Sequence, residues 1–413
     1  MSKQNIHVGL EIGTHKICVV VGDVKPDGSI KILGVGQAPS RGVRKGEIID
    51  FETAQTCLQD ALVRAEDRSD IMIKKVYLAI TGPHIESRNS PGTLYIPDDQ
   101  SEITEEDIDE VKELASDVAI PQDHIFIHRI IRHYFVDGKE KVLNPIGMLG
   151  KKLEADYHII YGIRNRVQNT IRCLREFPLE VEDVVFSPIA AGMVMLSREA
   201  KEQGALLLDI GGGTTDYVMY DDGAVLHSGS IGVGGDHISN DISIVLKVPQ
   251  SRAERLKIEY GSCTLLPEEK EEFIQLEGDA TFNSRSVNRG LLNAVIRSRL
   301  EETFTLVKKR IQAGGALDRC AGGIYLCGGT SLLSGIDELA ESVFGVPVRR
   351  SSFMPMSGLT ANFESPQFAT PVGLIRYAQK LEQERVNLST FNRIKNKFGS
   401  LFGASRLFGG LFS

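Results

Sequence analysis

The sequence predicts an α/β protein of two related domains, each a β-sheet covered by helices, with a small module inserted in the first. Val8–Gly22 reads VGLEIGTHKICVVVG and Leu206–Tyr220 reads LLLDIGGGTTDYVMY. In each stretch, an acid and a glycine turn separate two apolar, β-prone runs. A third glycine pair follows a short apolar run within Gly322–Phe344. Two similar strand–turn–strand units, far apart in the chain, indicate a duplicated domain.

Composition and charge limit the classes of protein to which the chain can belong. Its 413 residues are enough for two or more domains with large cores. The formal net charge of −8 argues against nucleic acid as a partner. The six cysteines are scattered and form no CxxC motif, so we expect a reducing, cytoplasmic environment. No apolar run approaches the ~20 residues of a membrane span.

The glycine turns of the two hairpins predict a phosphate site. Glycines free backbone N–H groups to face an anion, with no Cβ to block its approach. The first turn supplies Gly13 and Thr14, and the second supplies Gly211–Thr215, whose threonine hydroxyls are further donors. Glu11 and Asp209, at the ends of the preceding strands, are candidates to face a metal ion that accompanies the anion. A strand follows the glycines in both cases, which argues against a Walker loop or a Rossmann fingerprint.

The third glycine motif predicts a different contact with a nucleotide. Ile324–Cys327 is expected to be a short strand that ends at the glycine pair. Thr330 or Ser331 is then expected to cap a helix that runs through Phe344. The glycines would then lie at the start of a helix, and the N-terminus of that helix can face a nucleotide.

The first domain is predicted to alternate strands and helices. After the hairpin, a strand is expected at Ile30–Gly36 and another at Lys75–Thr81. Between them, Asp50 is positioned to cap a helix over Glu52–Ala65. Further on, Gly162–Phe177 and Val184–Ser197 are expected to be helical and to lead to the second domain.

A separate module is predicted between Pro83 and about Ile163. Gly82 and Pro83 break the strand pattern before it. Thr104 and Asp107 have the spacing of a capping box, which predicts an acidic helix as far as Val118. The module is also expected to contain strands over residues 124–134 and 156–160.

The second domain is predicted to contain several helices. Gly232–Asp236, which includes Gly234 and Gly235, precedes a helix through Leu246 and could approach a ribose or a phosphate. In the next helix, Gln250–Ser262, Glu254 and Lys257 are three residues apart and share a face. By spacing alone these two side chains form a solvated salt bridge. The pattern of apolar and polar residues over 291–312 predicts a long amphipathic helix.

The three glycine motifs in this order resemble those of the actin-like ATPase superfamily. Within it, the chain resembles the FtsA family of cell-division proteins over essentially its whole length. The stretches that carry this resemblance are GLEIGT at Gly9–Thr14, SRGVRKGEIID at Ser40–Asp50, LAITGPHI at Leu78–Ile85 and NPIGMLG at Asn144–Gly150. The module's place after a strand of the first domain also resembles the FtsA family. There, the inserted subdomain contacts the next subunit of a filament.

The resemblance implies an actin-like two-domain fold with duplicated cores. The first domain would comprise residues 1–83 and 163–203, with the inserted subdomain at 84–162. The second would comprise residues 204–384, with a partner-binding subdomain at about 229–300. A linker at 385–390 and an amphipathic membrane-targeting helix at 391–413 would follow.

The resemblance also implies that ATP and Mg²⁺ are the ligands. Gln250–Ser262 resembles a segment of the filament protein MreB, which makes Glu254 and Lys257 adenosine contacts. Glu11 and Asp209 would face Mg²⁺. The residues expected to bind ATP are Gly13, Thr14, His15, Lys16, Gly211, Gly212, Gly213, Thr214, Thr215, Gly234, Gly235, Glu254, Lys257, Gly328, Gly329 and Thr330. Where MreB-like proteins have a glutamate before the proline of the first connecting helix, this chain has Ser187, so hydrolysis is expected to be slow or absent.

The end of the chain is predicted to bind an anionic membrane surface. Past Glu384 no acidic residue remains, and Arg393, Lys395, Lys397 and Arg406 are basic. At 100° per residue, one face of a helix would carry Phe391, Ile394, Phe398, Leu401, Phe402, Phe408 and Phe412. An apolar face flanked only by basic charge suits anionic lipid. The alternatives are a helix packed on the body of the protein or a disordered tail.

The FtsA resemblance implies a peripheral protein on the cytoplasmic face of the inner membrane at the division site. It would assemble into filaments, tether the FtsZ ring and help to recruit other division proteins. Arg285 and Arg289 are candidates to bind the acidic C-terminal peptide of FtsZ, or they lie on a solvated basic face. Two competing classes share the superfamily fold. A sugar-kinase-like phosphotransferase needs a base or sugar pocket, for which no motif is present, and a chaperone-like ATPase needs a substrate-binding domain after residue 380.

Overall fold

The computed structural model of the chain describes residues 4–97, 102–265, 267, 271–278, 283–313, 317–350, 353–358, 363–383 and 385. Apart from Arg385, the linker and the predicted membrane-binding tail lie outside the described residues. The strands are β1 Ile6–Ile12, β2 Lys16–Val24, β3 Ile30–Pro39, β4 Val43–Arg44, β5 Glu47–Ile48, β6 Lys75–Ile80, β7 Ile85–Tyr95, β8 His124–Val136, β9 Lys141–Val142, β10 Lys152–Ile163, β11 Glu180–Phe186, β12 Ala205–Ile210, β13 Thr215–Asp221, β14 Ala224–Ile231, β15 Phe273–Leu276, β16 Arg285–Asn288 and β17 Gly323–Cys327. The helices are α1 Phe51–Ser69, α2 Glu105–Ser116, α3 Arg164–Cys173, α4 Ser187–Met195, α5 Arg198–Glu202, α6 Gly235–Leu246, α7 Gln250–Tyr260, α8 Arg289–Ala313, α9 Ile336–Phe344 and α10 over residues 369–383.

The first sheet has five strands in the order β11-β6-β1-β2-β3. The hairpin β1–β2 is antiparallel, and β6 lies parallel to β1 on its other side. Both faces of β2 are buried, because helices cover the sheet on each side. Helix α1 begins at Asp50, whose carboxylate accepts a hydrogen bond from the Thr53 amide, and it packs on β3.

The second sheet repeats this arrangement. Its order is β14-β13-β12-β17, with an antiparallel hairpin β12–β13 and β17 parallel to β12. In both sheets the acid predicted to face a metal lies near the end of the hairpin's first strand. The predicted duplication is therefore present in the strand order, and it places two glycine turns at equivalent ends of two sheets.

The inserted module is a four-stranded antiparallel sheet in the order β7-β10-β8-β9, with α2 packed on one face. The predicted capping box is present: the Thr104 hydroxyl and the Asp107 carboxylate each bond to the other residue's backbone N–H. The edge strand β7 lies beside β14, the edge strand of the second sheet. The module thus contacts the second domain although it is inserted in the first.

Helix α10 packs on the first sheet, which differs from the predicted assignment of residues 204–384 to the second domain. Val372, Leu374 and Ile375 belong to the apolar core of the first domain. A Cβ at Gly9 would lie 2.4 Å from the Pro371 carbonyl oxygen, so the bare strand backbone is what lets the helix approach. The chain therefore crosses back to the first domain at its end.

Two local predictions were wrong. Val184–Phe186, predicted to be helical, forms the end of strand β11, which pairs with β6 and becomes α4 only at Ser187. The run of β-branched and aromatic residues before the proline is what a buried parallel strand requires. Likewise, residues to Ile163 continue β10, so the predicted helix from Gly162 starts later, at Arg164.

Among the described helices, none combines the length and the apolar character needed to cross a membrane.

Candidate functional site

The two hairpin turns and the third glycine motif meet at one cavity of about 450 Å³. Each turn is closed by a backbone bond, from the Gly13 amide to the Lys16 carbonyl (3.0 Å) and from the Gly211 amide to the Thr214 carbonyl (2.9 Å). Thirteen of the sixteen predicted ATP-binding residues line the cavity: Gly13, Thr14, His15, Lys16, Gly211, Gly212, Gly213, Thr214, Glu254, Lys257, Gly328, Gly329 and Thr330. The cavity is therefore built from residues of both domains.

The structure does not bring the other three predicted residues to the cavity surface. Thr215 is fully buried and its hydroxyl donates to the Val233 carbonyl (2.8 Å), because it starts strand β13 and points away from the turn. Gly234 and Gly235 lie behind the second turn, where the Gly235 amide donates to the Gly211 carbonyl (2.9 Å). They support the turn instead of forming the cavity wall.

Three carboxylates lie at the floor of the cavity. Glu11 and Asp209 were predicted there, and Asp216 is the direct cross-strand partner of Asp209. Asp209 accepts a hydrogen bond from the Thr370 hydroxyl (2.8 Å), and Asp216 accepts one from Thr81 (2.5 Å). One oxygen of Glu11 (Oε2) and one of Asp216 (Oδ1) are buried with no hydrogen-bond partner.

Burial shifts the titration of these acids strongly. It raises the pKa of Glu11 to about 7; Lys16 opposes the shift, and the charges of Asp209 and Asp216 add to it. Burial, together with the charge of Asp209, raises the pKa of Asp216 to about 7. The pKa of Asp209 is raised by burial as well. Three acids close together, two of which have a buried oxygen without a hydrogen-bond partner, are the environment that a bound cation would stabilise.

Lys16 is a cation of the cavity wall whose charge acts on two of these acids. Its Nζ donates to the Gln367 carbonyl and lies 4.0 Å from the centroid of the Phe368 ring. The Lys16 charge lowers the pKa of Glu11 and that of Asp209. It therefore offsets part of the negative charge at the floor.

Glu254 and Lys257 form the predicted pair on one face of α7, at 2.8 Å. They are not a solvated pair, since the Lys257 side chain is only 8% exposed and its Nζ also donates to the Gly235 carbonyl (3.1 Å). The pair lines the cavity next to the apolar side chains of Ile258 and Leu332. A charged pair beside an apolar wall suits a nucleoside.

The third glycine motif differs from its prediction. The strand β17 and the glycine pair are present, but Gly329–Leu332 is one 3-10 turn and helix α9 begins only after Gly335. Gly328 and Gly335 have φ of +84° and +72°, so the backbone turns twice before a helix starts. The Thr330 hydroxyl bonds to the Gly211 carbonyl (3.0 Å) and caps nothing. The motif is bonded to the second turn, and α9 does not offer its N-terminus to the cavity.

His15 stands at the edge of the first turn, half-exposed, and bonds to the Asp236 carboxylate. This bond raises the pKa of His15, with burial opposing the shift. His15, Asp236 and Glu254 offer ligand atoms within 4.8 Å of one another. The bond joins the first hairpin to helix α6, so it spans the two domains.

Ser187 is buried at the start of α4 and lines the cavity. Its hydroxyl donates to the Ile80 carbonyl (3.0 Å). The side chain is short and its proton is engaged with the backbone. It therefore lacks the reach and the basicity to take a proton from water.

Comparisons with known proteins agree with this geometry. The family model described as cell division protein FtsA matches residues 206–373, and that of the SHS2 domain inserted in FtsA matches residues 82–161. The cell division protein FtsA of Pseudomonas aeruginosa is 36% identical over 382 residues, covering 92% of this chain and 91% of the relative. That of Escherichia coli is 33% identical over 380 residues, covering 90% of each. The chain belongs to the FtsA family of cell-division proteins.

Solved structures show the fold that this FtsA family member shares with actin-like proteins. A structure of the PilM–PilN type IV pilus biogenesis complex matches with a TM-score of 0.65 and 16% identity, covering 90% of this chain and 98% of that one. The MreB5 protein of Spiroplasma citri bound to ADP matches with a TM-score of 0.56 and 16% identity, covering 93% and 98%. The predicted α/β, actin-like fold is confirmed.

Several cavity residues of this FtsA family member escaped sequence reasoning. Asp216 stood in the second motif and could have been found from hairpin register, because it faces Asp209 across a tight turn. Thr81 belongs to the LAITGPHI stretch but was not predicted to line the cavity, and Gln367 lies in no motif; they reach the cavity from the end of β6 and from the segment before α10. Thr370, at the start of α10, was not predicted to line it either.

Arg285 and Arg289, the predicted FtsZ contacts, lie where helix α6 ends and α8 begins. Arg285 donates to the Lys247 carbonyl (2.9 Å), and Arg289 pairs with Glu272 (2.9 Å). Beside them, α6 and α8 form an open groove of about 450 Å³, whose lining combines apolar side chains such as Ile244 and Leu291 with the ion-paired Asp241, Arg299 and Glu302. The two arginines do not line the groove but lie near it, since Leu291 follows Arg289 by two residues.

Proposed function

We propose that the chain binds ATP together with Mg²⁺ in the cavity between its two domains. The observation that supports this is the convergence of two glycine turns and the third glycine motif on one cavity, with Glu254 and Lys257 on its wall. Backbone N–H groups at glycine turns suit phosphates. Since both domains contribute, ATP would act mainly as a structural ligand that joins them.

The acids at the floor fit a Mg²⁺ ion. Glu11 and Asp216 each have a buried oxygen without a hydrogen-bond partner, and oxygen ligands are what Mg²⁺ prefers. Glu11, Asp209 and Asp216 would hold the ion through water molecules, since Mg²⁺ keeps much of its hydration shell. The ion would supply positive charge next to the phosphates. Calorimetry with ATP should show binding that weakens without Mg²⁺, and no heat of binding with both present would contradict the proposal.

The chain's cellular role would be to connect FtsZ to the membrane. In this proposal, copies of the chain assemble on the cytoplasmic face of the inner membrane at the division site, with the inserted module as a filament contact. The tail, residues 391–413, would hold the assembly on anionic lipid. Other division proteins would be recruited to it. Membership of the FtsA family supports this role.

The FtsZ peptide would lie in the groove between α6 and α8. Apolar side chains in a groove with arginines nearby suit a peptide that carries both apolar and acidic residues, provided that its acids lie away from Asp241 and Glu302. Arg285 and Arg289 would pair with its carboxylates. Arg285→Ala with Arg289→Ala should weaken binding of the acidic FtsZ C-terminal peptide by about tenfold, while Arg172→Ala on α3 serves as a control. Unchanged affinity at low salt would remove both residues from the site.

Vesicle co-sedimentation tests the role as a whole. Purified chain should carry FtsZ into the pellet with anionic vesicles and ATP, and a chain that ends at residue 384 should leave FtsZ in the supernatant. If the shortened chain still brought FtsZ down, the tail would not be the membrane anchor. If the full chain sedimented without FtsZ, the tether itself would be excluded.

A further inference from the structure

A second cavity, of about 380 Å³, adjoins the first and has a basic lining. It lies between helix α1, strand β3 and the segment before α10. It shares His15 and Lys16 with the first cavity, and Arg64 and Arg68 of α1 face it together with Gln37 and Phe363. We call it the Arg64–Arg68 pocket.

The two arginines are held in place by the backbone of β3. They are four residues apart, so they share one face of α1. The Nη1 of Arg64 donates to the Gln37 carbonyl and that of Arg68 to the Val35 carbonyl, each at 2.6 Å. A guanidinium has five N–H donors in a fixed planar arrangement, so one bond orients it and leaves others for a ligand.

The helix that carries these arginines is itself fixed closely against the sheet. A Cβ at Gly36 of β3 would lie 1.9 Å from the Ala61 carbonyl oxygen, and one at Gly34 would lie 2.8 Å from the Ser69 amide. Only glycine allows this approach of α1 to β3. The backbone that carries the two exposed arginines is therefore held at a fixed distance from β3, which limits the backbone ordering that a ligand would require.

The positive charge of the two arginines is not paired with a carboxylate in the part of the chain that the structure describes. Among the described residues, no carboxylate lies within 4.0 Å of the side-chain nitrogens of Lys16, Arg64 or Arg68. Their known partners are neutral carbonyl oxygens and the Phe368 ring. His15 is different, because Asp236 pairs with it. Arg64 and Arg68 thus line one concave site without a carboxylate partner among the described residues, whereas the charge of Lys16 also acts on Glu11 and Asp209 of the first cavity.

We propose that the Arg64–Arg68 pocket binds a phosphate group, separately from the nucleotide cavity. Phosphate carries up to two negative charges and three acceptor oxygens near neutral pH, which matches two arginine forks and a lysine better than a single carboxylate does. Either inorganic phosphate or the phosphate of a small phosphorylated molecule has this chemistry. Arg64 and Arg68 line only this pocket, so they remain open to phosphate when a nucleotide fills the neighbouring cavity.

The test is calorimetric titration of the full chain with inorganic phosphate, first alone and then with Mg²⁺ and a non-hydrolysable ATP analogue filling the nucleotide cavity. Saturable binding of one phosphate per chain should persist with the analogue present. Arg64→Gln with Arg68→Gln should weaken it at least tenfold, about 1.4 kcal/mol. Arg172→Gln with Arg175→Gln, two exposed arginines elsewhere, should leave it unchanged. A parallel titration with glycerol 3-phosphate identifies the source, since tighter binding than inorganic phosphate indicates a phosphorylated molecule.

Three results would overturn the inference: no saturable phosphate binding, equal affinity in the Arg64→Gln Arg68→Gln variant, or complete displacement by the ATP analogue. The analogue's own affinity, which should change less than twofold in the variant, shows that the variant is folded. If the analogue fails to bind the unmodified chain, the proposed nucleotide function fails. The titration without analogue then still decides whether the arginines bind phosphate.

Discussion

At the scale of the residue, the buried acids at the cavity floor dominate the electrostatics of the site. Asp216 is 3% exposed and has one oxygen without a hydrogen-bond partner. A carboxylate in such a place is destabilising when charged, because burial removes its hydration. A bound cation would offset the cost of burying this charge, and that is the role proposed for Mg²⁺. The same argument applies to Glu11, whose pKa is also raised to about 7.

We predict that Asp216→Asn stabilises the protein at pH 8 in the absence of nucleotide and metal. Because the folded pKa of Asp216, about 7, lies above the unfolded value, the acid's contribution to stability is lost as pH rises through 7. The variant should gain about 2 to 4 kcal/mol at pH 8 and little at pH 4. Urea unfolding measures this. Asp67→Asn, on the exposed side of α1, is the control, and an equal gain at both pH values would show that charge is not the cause.

A second prediction at this scale concerns Ser187. Its hydroxyl bonds to the Ile80 carbonyl and is a poor base, so phosphate release on anionic membranes should stay below ~1 s⁻¹. Ser187→Glu should raise that rate, because a carboxylate at the cavity wall could orient and deprotonate water. Ser187→Ala should leave it unchanged. Turnover above this limit in the unmodified chain would mean that another residue supplies the missing role.

At the scale of the element, the inserted module is joined to the second domain along the edges of β7 and β14. The Ser87 hydroxyl donates to the Ser228 carbonyl (2.6 Å). The Asn89 amide nitrogen donates to the Leu226 carbonyl (3.0 Å), which turns the Asn89 oxygen toward His158 Nδ1 (2.6 Å). His158 Nδ1 must then carry the proton, so Nε2 accepts from the Ser228 hydroxyl (2.8 Å). Strand β14 continues into the loop behind the second glycine turn, so the module is connected to the cavity.

We predict that this junction is weakened by acid. His158 is 1% exposed, and burial lowers its pKa to about 3. Since the unfolded chain binds a proton below about pH 6.5 and the folded chain does not, the contribution of His158 to stability falls as pH drops from 6.5 toward 3, by about 1.4 kcal/mol per pH unit. His158→Gln should reduce this pH dependence, measured by unfolding at pH 6 and pH 5.

The matched control for this junction is Lys141→Ala. Lys141 pairs with Asp222 across the same two parts of the molecule, but both side chains are about half-exposed. An exposed pair contributes little, so its loss should not change the pH dependence. Between pH 6 and pH 5, Glu11 and Asp216 change the free energy of unfolding in the opposite sense to His158, because their pKa values are raised. Both acids are present in every variant, so the difference between variants cancels their contribution. An unchanged slope in His158→Gln would show that His158 takes up no proton on unfolding.

At the scale of the whole molecule, the cavity exists only because two halves with the same strand arrangement face each other. Helix α10 returns the chain to the first sheet, and the Thr370 hydroxyl at its start bonds to Asp209 of the second sheet (2.8 Å). His15 and Asp236 bond across the same gap. A ligand between the halves would therefore stabilise their closure.

The last prediction concerns attachment of the whole molecule to a membrane. Phe398→Glu places a charge in the apolar face that the sequence predicts for the tail, so binding to anionic vesicles should largely disappear while ATP binding persists. Each basic residue near an anionic surface contributes about 1 kcal/mol, so neutral vesicles should bind the unmodified chain more weakly. Co-sedimentation measures both effects. Equal binding to neutral and anionic vesicles would contradict the electrostatic part.

The sequence by itself determined the elements whose signals are local. The hairpins with their glycine turns, the Asp50 cap, the Thr104–Asp107 capping box and the face shared by Glu254 and Lys257 follow from residue types a few positions apart. Only the tertiary structure decided what depends on distant strands. It placed Thr81 and Asp216 at the cavity and pointed the Thr215 side chain away from it. It also placed the start of α9 after Gly335 and packed α10 on the first sheet. The reason is physical: turn chemistry and periodicity act within a few residues, whereas a cavity is set by which strand ends are packed side by side.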